Sequence, residues 1–198
     1  NSAANKANEG VTFSDNVMGN PEAVVVLTEY SDFQCPACGQ TFPVVQDIMA
    51  QYGDRLRFEY KHFPLISIHP YAVPAAIAAE AAGQQDKFFE MHDKLFENQS
   101  TWSASSNPQA YFIRYAEEIG LDVVQFKTHL GSSLIKDRVM EGYSEARSLG
   151  LTGTPTFLLN GERVQYQSFD ELITLIETAI GVQPEDASAT STESEIDT

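Results

Sequence analysis

Cysteine, positive charge and long apolar runs are all scarce in this 198-residue chain. Only 12 Lys and Arg stand against 28 Asp and Glu, a net charge of −16. Nucleic acids and anionic membrane surfaces both reward clustered Lys and Arg, so neither is expected as a partner. The acidity reads as a well-solvated surface, and a salt-adapted source would produce the same balance. Ala23 to Leu27 is as long an apolar run as any, far short of the roughly 20 residues of a membrane-spanning helix. A secretory leader pattern is missing as well. The first residues, Asn1-Ser2-Ala3-Ala4-Asn5-Lys6, read as a mature or trimmed N-terminus. The two cysteines, Cys35 and Cys38, would close a loop too small to stabilise a scaffold by much. Their scarcity and close spacing point to chemistry.

What is present suits a folded domain. Hydrophobic residues make up 42% of the chain, enough for one core, with or without an inserted subdomain. Residues 1–10 lack periodicity and read as a flexible leader; residues 182–198 carry five acids and no base and read as a disordered acidic tail. Between them, Ala23 to Tyr30 is β-branched and reads as a buried strand. The cysteine motif follows, then a helix-like pattern over Phe42 to Met49 despite Pro43. Arg55 to Lys61 alternates as a half-buried strand, which makes residues 11–66 a β-α-β unit with a parallel strand pair. Residues 67–150 read as helices, too many for a crossover and therefore an insertion with its own packing. In residues 151–181, Thr156 to Val164 turns at Asn160-Gly161, a strong hairpin signal. Phe169 to Ile180 closes as an amphipathic helix beginning near Ser168 or Asp170.

Cys35-Pro36-Ala37-Cys38 sits past a strand end and opens a helix. Unpaired N–H groups and the positive end of the helix dipole favour a thiolate there. Such settings lower a cysteine pKa from about 8.5 to roughly 3.5–7.5. Pro36 suits the first helical turn, where its missing N–H is no loss. Cys38, one turn in, is expected to be the buried, resolving thiol. A zinc site is the competing reading, but His62, His69, His92 and His129 are scattered without a pairing pattern; no metal is expected. An inert disulfide is the other.

The second signal is Thr152-Gly153-Thr154-Pro155-Thr156-Phe157, a proline entering a buried-looking strand where it does not belong unless special. Together with the cysteine motif, it makes the chain resemble the DsbA-like family of thiol-disulfide oxidoreductases. The resemblance covers roughly Val11 to Gly181 and implies an α/β thioredoxin-like fold with an inserted all-helical subdomain. It implies that Pro155 is a cis-proline beside the disulfide, preceded by Thr154, in a loop that binds substrate through its backbone. A plain trans turn proline is the alternative. Glu29 matches a buried acid of that family which takes part in proton transfer; an ordinary strand-end acid reaching solvent is the other reading. The family's best-known oxidases carry histidine where this chain has Ala37, so a weaker oxidant is expected. Asp32, three residues before Cys35, should push the same way.

The resemblance further implies an oxidase of exported, cysteine-containing proteins, extracytoplasmic and monomeric, with no cofactor beyond the Cys35–Cys38 disulfide and a membrane quinone-linked partner to re-oxidise it. A reductase or isomerase of the same fold is the second reading, and a redox-inactive chaperone or binding module the third. Trp102, Phe88, Phe89 and Phe96 are expected to pack rather than line a peptide groove, and neither His62 nor His69 is assigned a role.

Overall fold

The computed structural model describes residues 2–182. Its sheet holds β1 (Val17–Gly19), β2 (Val25–Ser31), β3 (Leu56–His62), β4 (Thr156–Leu159) and β5 (Glu162–Arg163), in the order β1-β3-β2-β4-β5. β2 and β3 run parallel, and every other pairing is antiparallel. The central β2 is buried almost throughout, whereas β3 alternates buried and half-buried residues as its sequence predicts. At the β4–β5 turn, Asn160 (φ 50°) and Gly161 (φ 84°) both lie in the left-handed region, the geometry of the tight turn that Asn-Gly favours. Asn160 also ties the hairpin to β2, its Oδ1 accepting from Val26 N at 2.8 Å.

Register decides which residues share a face. Leu27, Glu29 and Ser31 of β2 lie opposite Phe58, Tyr60 and His62 of β3, and Phe157 of β4 lies opposite Glu29. This face meets α2 (Pro36–Tyr52), whose buried side includes Cys38, Val45, Ile48 and Met49. α2 runs through Pro43 without a break. The other face, through Tyr30 and Leu158, makes a smaller apolar cluster with Phe63, Ala146 and Leu151.

The expected insertion is present as α3 (Ala72–Gly83), α4 (Phe88–Glu97), α5 (Gln99–Ser103), α6 (Pro108–Glu118), α7 (Val123–His129) and α8 (Ser133–Ser148). Its buried residues, among them Leu95, Trp102, Phe112 and Phe126, join those of the sheet and α2 in one continuous cluster. Trp102 is fully buried and donates Nε1–H to Leu95 O at 2.7 Å; Phe88 and Phe96 are buried too. All are packing residues, as expected. The last helix, α9 (Phe169–Ile180), has Ser168 as its N-cap, accepting from Glu171 N.

Two expectations need correction. The supposed leader forms α1 (Ser2–Asn8), docked on α7 and α8. Ala7 is buried, and Asn8 Oδ1 accepts from Ser132 Oγ at 2.8 Å. Seven residues are too few to show a 3.6-residue period, so tertiary contact rather than pattern holds this helix. β1 was also not foreseen: three residues carry no alternation worth reading. The expected acidic tail, apart from Val182, lies outside the described residues.

Gly19 ends β1 at φ +87°, with the Leu56 and Gly53 carbonyls packed where a Cβ would go. Gly19→Ala should therefore destabilise the fold by about 2 kcal/mol or more, measurable as a lowered denaturant midpoint with an unchanged slope.

Candidate active site

The chain leaves β2 at Ser31, turns, and enters α2, with Cys35 N donating to Asp32 O at 3.0 Å. Cys35 is the N-cap of α2 (φ −71°, ψ 120°) and Pro36 occupies the first turn. The backbone N–H groups of Ala37 and Cys38, donors that a helix start leaves free, favour the ionised form of Cys35. Pro36 and Ala37 are exposed, while Cys35 is 7% and Cys38 0% accessible. The thiols are adjacent, and both are free.

From 119 residues further along the chain, Thr154 O comes within 3.5 Å of Cys35 Sγ. The Thr154–Pro155 peptide is cis. Thr154 Oγ1 is buried without a hydrogen-bond partner.

These contacts split the two thiols. Cys35 is lowered from 9.0 to about 5, chiefly by the hydrogen bond from Cys38; burial opposes this, and Thr154 with the backbone amides of Cys38 and Ala37 assists. Cys38 is pushed well above its ordinary value, first by burial, then by its bond to Cys35 and the charge of Glu29. The acidity of Cys35 thus survives the absence of a histidine at position 37. The buried side chain of Asp32 is engaged by Gln34 N (2.7 Å), Leu65 N (2.9 Å) and His69 Nδ1 (2.7 Å), and it ties the loop before α2 to the loop after β3.

Glu29 lies beneath the motif on β2, 3% accessible. Burial raises its carboxyl from 4.5 to about 7, with Ser31 opposing and the charge of Cys35 adding. It is not a strand-end acid reaching water. His62 and His92 are engaged elsewhere. His62 pairs with Glu80 at 2.8 Å, and His92, buried in an aromatic cluster with Phe33, Phe42 and Phe96, is held below its usual pKa by burial. No group of three or more metal-ligating side chains occurs among the described residues.

Sequence reasoning missed Gln99. From α5, its Nε2 donates to Phe33 O at 2.7 Å and to Cys35 O at 2.8 Å. The insertion thereby grips the backbone that leads into α2. Nothing in Asn98-Gln99-Ser100 marks this role, because the contact spans 64 residues. Gln99→Ala should loosen the cap and raise the Cys35 pKa by about one unit, equivalent to ~1.4 kcal/mol. Thiolate absorbance followed against pH would measure it.

A family model described as Thioredoxin matches residues 12–178, a span that includes every residue of this site. The chain belongs to that thioredoxin family. Among solved structures, a thioredoxin-like oxidoreductase from Silicibacter pomeroyi is 27% identical, covers 83% of this chain and 91% of its own, and superposes with a TM-score of 0.69. Oxidised BdbD from Bacillus subtilis (21% identical, TM-score 0.73, covering 87% and 94%) has the same fold. So does alpha-DsbA1 from Wolbachia pipientis (21%, 0.73, covering 86% and 93%). The architecture is therefore a thioredoxin fold with a helical insertion. Among curated relatives, Na(+)/H(+) antiporter NhaA 3 of Salinispora tropica is 40% identical over 149 residues, 75% of this chain and 22% of that protein. NhaA 1 of a Mycobacterium species is 38% identical over 151 residues, 75% of this chain and 24% of its own. The chain spans less than a quarter of the length of these relatives. No described helix is long and apolar enough to cross a membrane.

Proposed function

We propose that this thioredoxin-family chain is a protein thiol-disulfide oxidoreductase working through Cys35 and Cys38, and that it runs as an oxidase of cysteine pairs in exported proteins. The observation that carries this reading is the placement of the two thiols, Cys35 capping α2 with Thr154 O 3.5 Å from its sulfur and Cys38 fully buried one turn behind it, an arrangement that lowers Cys35 to about 5 and raises Cys38. A substrate thiolate attacks Cys35 Sγ of the enzyme disulfide and expels Cys38. A second substrate thiolate then attacks the substrate sulfur of the mixed disulfide and expels Cys35 as its stable thiolate. Two electrons pass from substrate to enzyme. Stabilising the leaving thiolate favours the reduced enzyme and makes its disulfide more oxidising.

In this reading Thr154 and Pro155 present backbone to the substrate beside Cys35, and Pro36 and Ala37 form the exposed rim. Glu29 handles the proton of Cys38. A membrane quinone-linked protein would re-oxidise the dithiol, with the chain a monomer outside the cytoplasm and no cofactor beyond its own disulfide. The ion exchange named for the NhaA relatives is not carried over; the thiol site, not transport, is what these residues support.

Equilibration with glutathione redox buffers tests the direction. The oxidase reading expects a potential well above that of thioredoxin, toward the roughly −120 mV of strong oxidants. A value near −270 mV, about that of thioredoxin itself, would make the chain a reductase. A protein that neither reduces insulin nor oxidises a reduced peptide, and that Cys35→Ser leaves unchanged, would instead be a redox-inactive binding module.

A further inference from the structure

Thiol exchange at Cys35 leaves a buried polar cluster under α2 without an assignment. Glu29 and Ser31 lie two residues apart on one face of β2, with Tyr60 opposite Glu29 on β3. Ser31 is 1% accessible, Tyr60 2%, Glu29 3% and Cys38 0%. Ser31 Oγ and Tyr60 Oη have no hydrogen-bond partner. The Ser31 hydroxyl shares a face of the sheet with Glu29 and Tyr60, and it favours the ionised form of Glu29, Cys38 and Tyr60 against the burial that opposes it. Buried hydroxyls are paired in folded proteins, and exceptions call for a reason. A serine hydroxyl both donates and accepts, so one set between an acid and a thiol can pass a proton from one to the other.

We propose that Ser31 relays the proton exchanged between Glu29 and Cys38, with the Tyr60 phenol positioning the relay hydroxyl. The proposal rests on the thiol-disulfide reading and adds to it the route of the proton. When a substrate thiolate bonds to Cys35 Sγ, the Cys35–Cys38 bond breaks and Cys38 leaves with the electron pair. Ser31 gives its proton to the Cys38 thiolate and takes the carboxylic proton of Glu29. Cys38 ends as thiol and Glu29 as carboxylate. When a disulfide-bearing acceptor later forms a mixed disulfide on Cys35, the route reverses. The Glu29 carboxylate recovers the proton through Ser31, and the Cys38 thiolate attacks Cys35 Sγ and expels the acceptor as a thiolate that carries the two electrons away. The proton stays inside the protein over the cycle. Besides Glu29, the titratable groups that face this cluster are Cys35 at the N-cap of α2, Cys38 on α2, Asp32 in the loop after β2, Tyr60 on β3 and Tyr166 after β5.

The experiment follows Cys38 closing on a preformed Cys35 mixed disulfide, across pH, by rapid mixing. Ser31→Ala should slow this step by about 10²-fold, the scale of a lost proton-transfer group. It should also erase the inflection near the Glu29 pKa, while the Cys35 titration stays in place. Ser31→Thr, which keeps the hydroxyl, should retain the inflection, and Tyr60→Phe should slow the step less. In the unaltered protein a two-proton relay should give a bowed proton inventory in mixed light and heavy water, a readout that needs no variant. A linear inventory, or a Ser31→Ala profile matching the unaltered one, would overturn the relay and leave the thiol-disulfide reading standing. A Cys35 that forms no mixed disulfide at all would defeat that underlying reading instead.

Discussion

Replacing Cys38 by alanine should turn the chain from a turnover catalyst into a trap. With no resolving sulfur, a mixed disulfide on Cys35 persists, and intact-mass measurement after reaction with a thiol-bearing peptide should show one bound peptide per chain. Cys35→Ser should behave in the opposite way. The surviving Cys38 is fully buried and raised well above 9.0, so less than about 1% of it is thiolate at neutral pH, and exchange should fall at least about 10²-fold. The two variants together separate the attacked sulfur from the resolving one. If Cys35→Ser kept the original rate while Cys38→Ala trapped nothing, the roles would be wrong. Alkylation of Cys35 against pH adds a quantitative check: the midpoint should lie near 5 and move upward in Cys38→Ala, because the Cys38 hydrogen bond is the largest cause of the lowering. A thiol whose pKa is depressed on folding stabilises the dithiol form above its ordinary value, and that contribution is lost as pH falls through about 5.

Glu29→Gln should stabilise the fold and impair the enzyme. Folding raises this carboxyl from 4.5 to about 7, mainly through burial, so the folded chain holds the proton more tightly than the unfolded one. Its contribution to stability is fully present below pH 4.5 and is lost as pH climbs through about 7. The full loss is about 3 kcal/mol for a carboxyl this buried. A neutral glutamine avoids it. Denaturant unfolding of the dithiol form should therefore show the variant more stable by about that amount above neutral pH and level with the original at acid pH. Turnover should move the other way, slowed about 10- to 100-fold through loss of a proton donor and acceptor for Cys38. A variant that is no more stable at alkaline pH would mean Glu29 reaches solvent.

Much of this was legible in one dimension. The alternation of Arg55 to Lys61, the β-branched run ending at Tyr30 and the Asn160-Gly161 turn each encode local geometry, and the strands formed there. The Phe169 to Ile180 helix came out with the same bounds, because Ser168 and Gly181 mark its ends chemically. The cysteine motif was equally plain, since its spacing on a helix start is a local property. Short elements were not legible: α1 and β1 are too brief for a period to emerge and exist by docking on α8 and β3.

The sequence by itself determined the cysteine pair at a helix start, the fold class and the order of elements, because periodicity, turn chemistry and helix capping act over a few residues. Only the tertiary structure decided how those thiols ionise. Thr154 reaches Cys35 across 119 residues and Gln99 across 64, while Glu29 and Ser31 are sealed beneath α2 by the sheet register. Acidity depends on burial and on which donors point at a sulfur, and both are set by chain segments that meet only once the protein has folded.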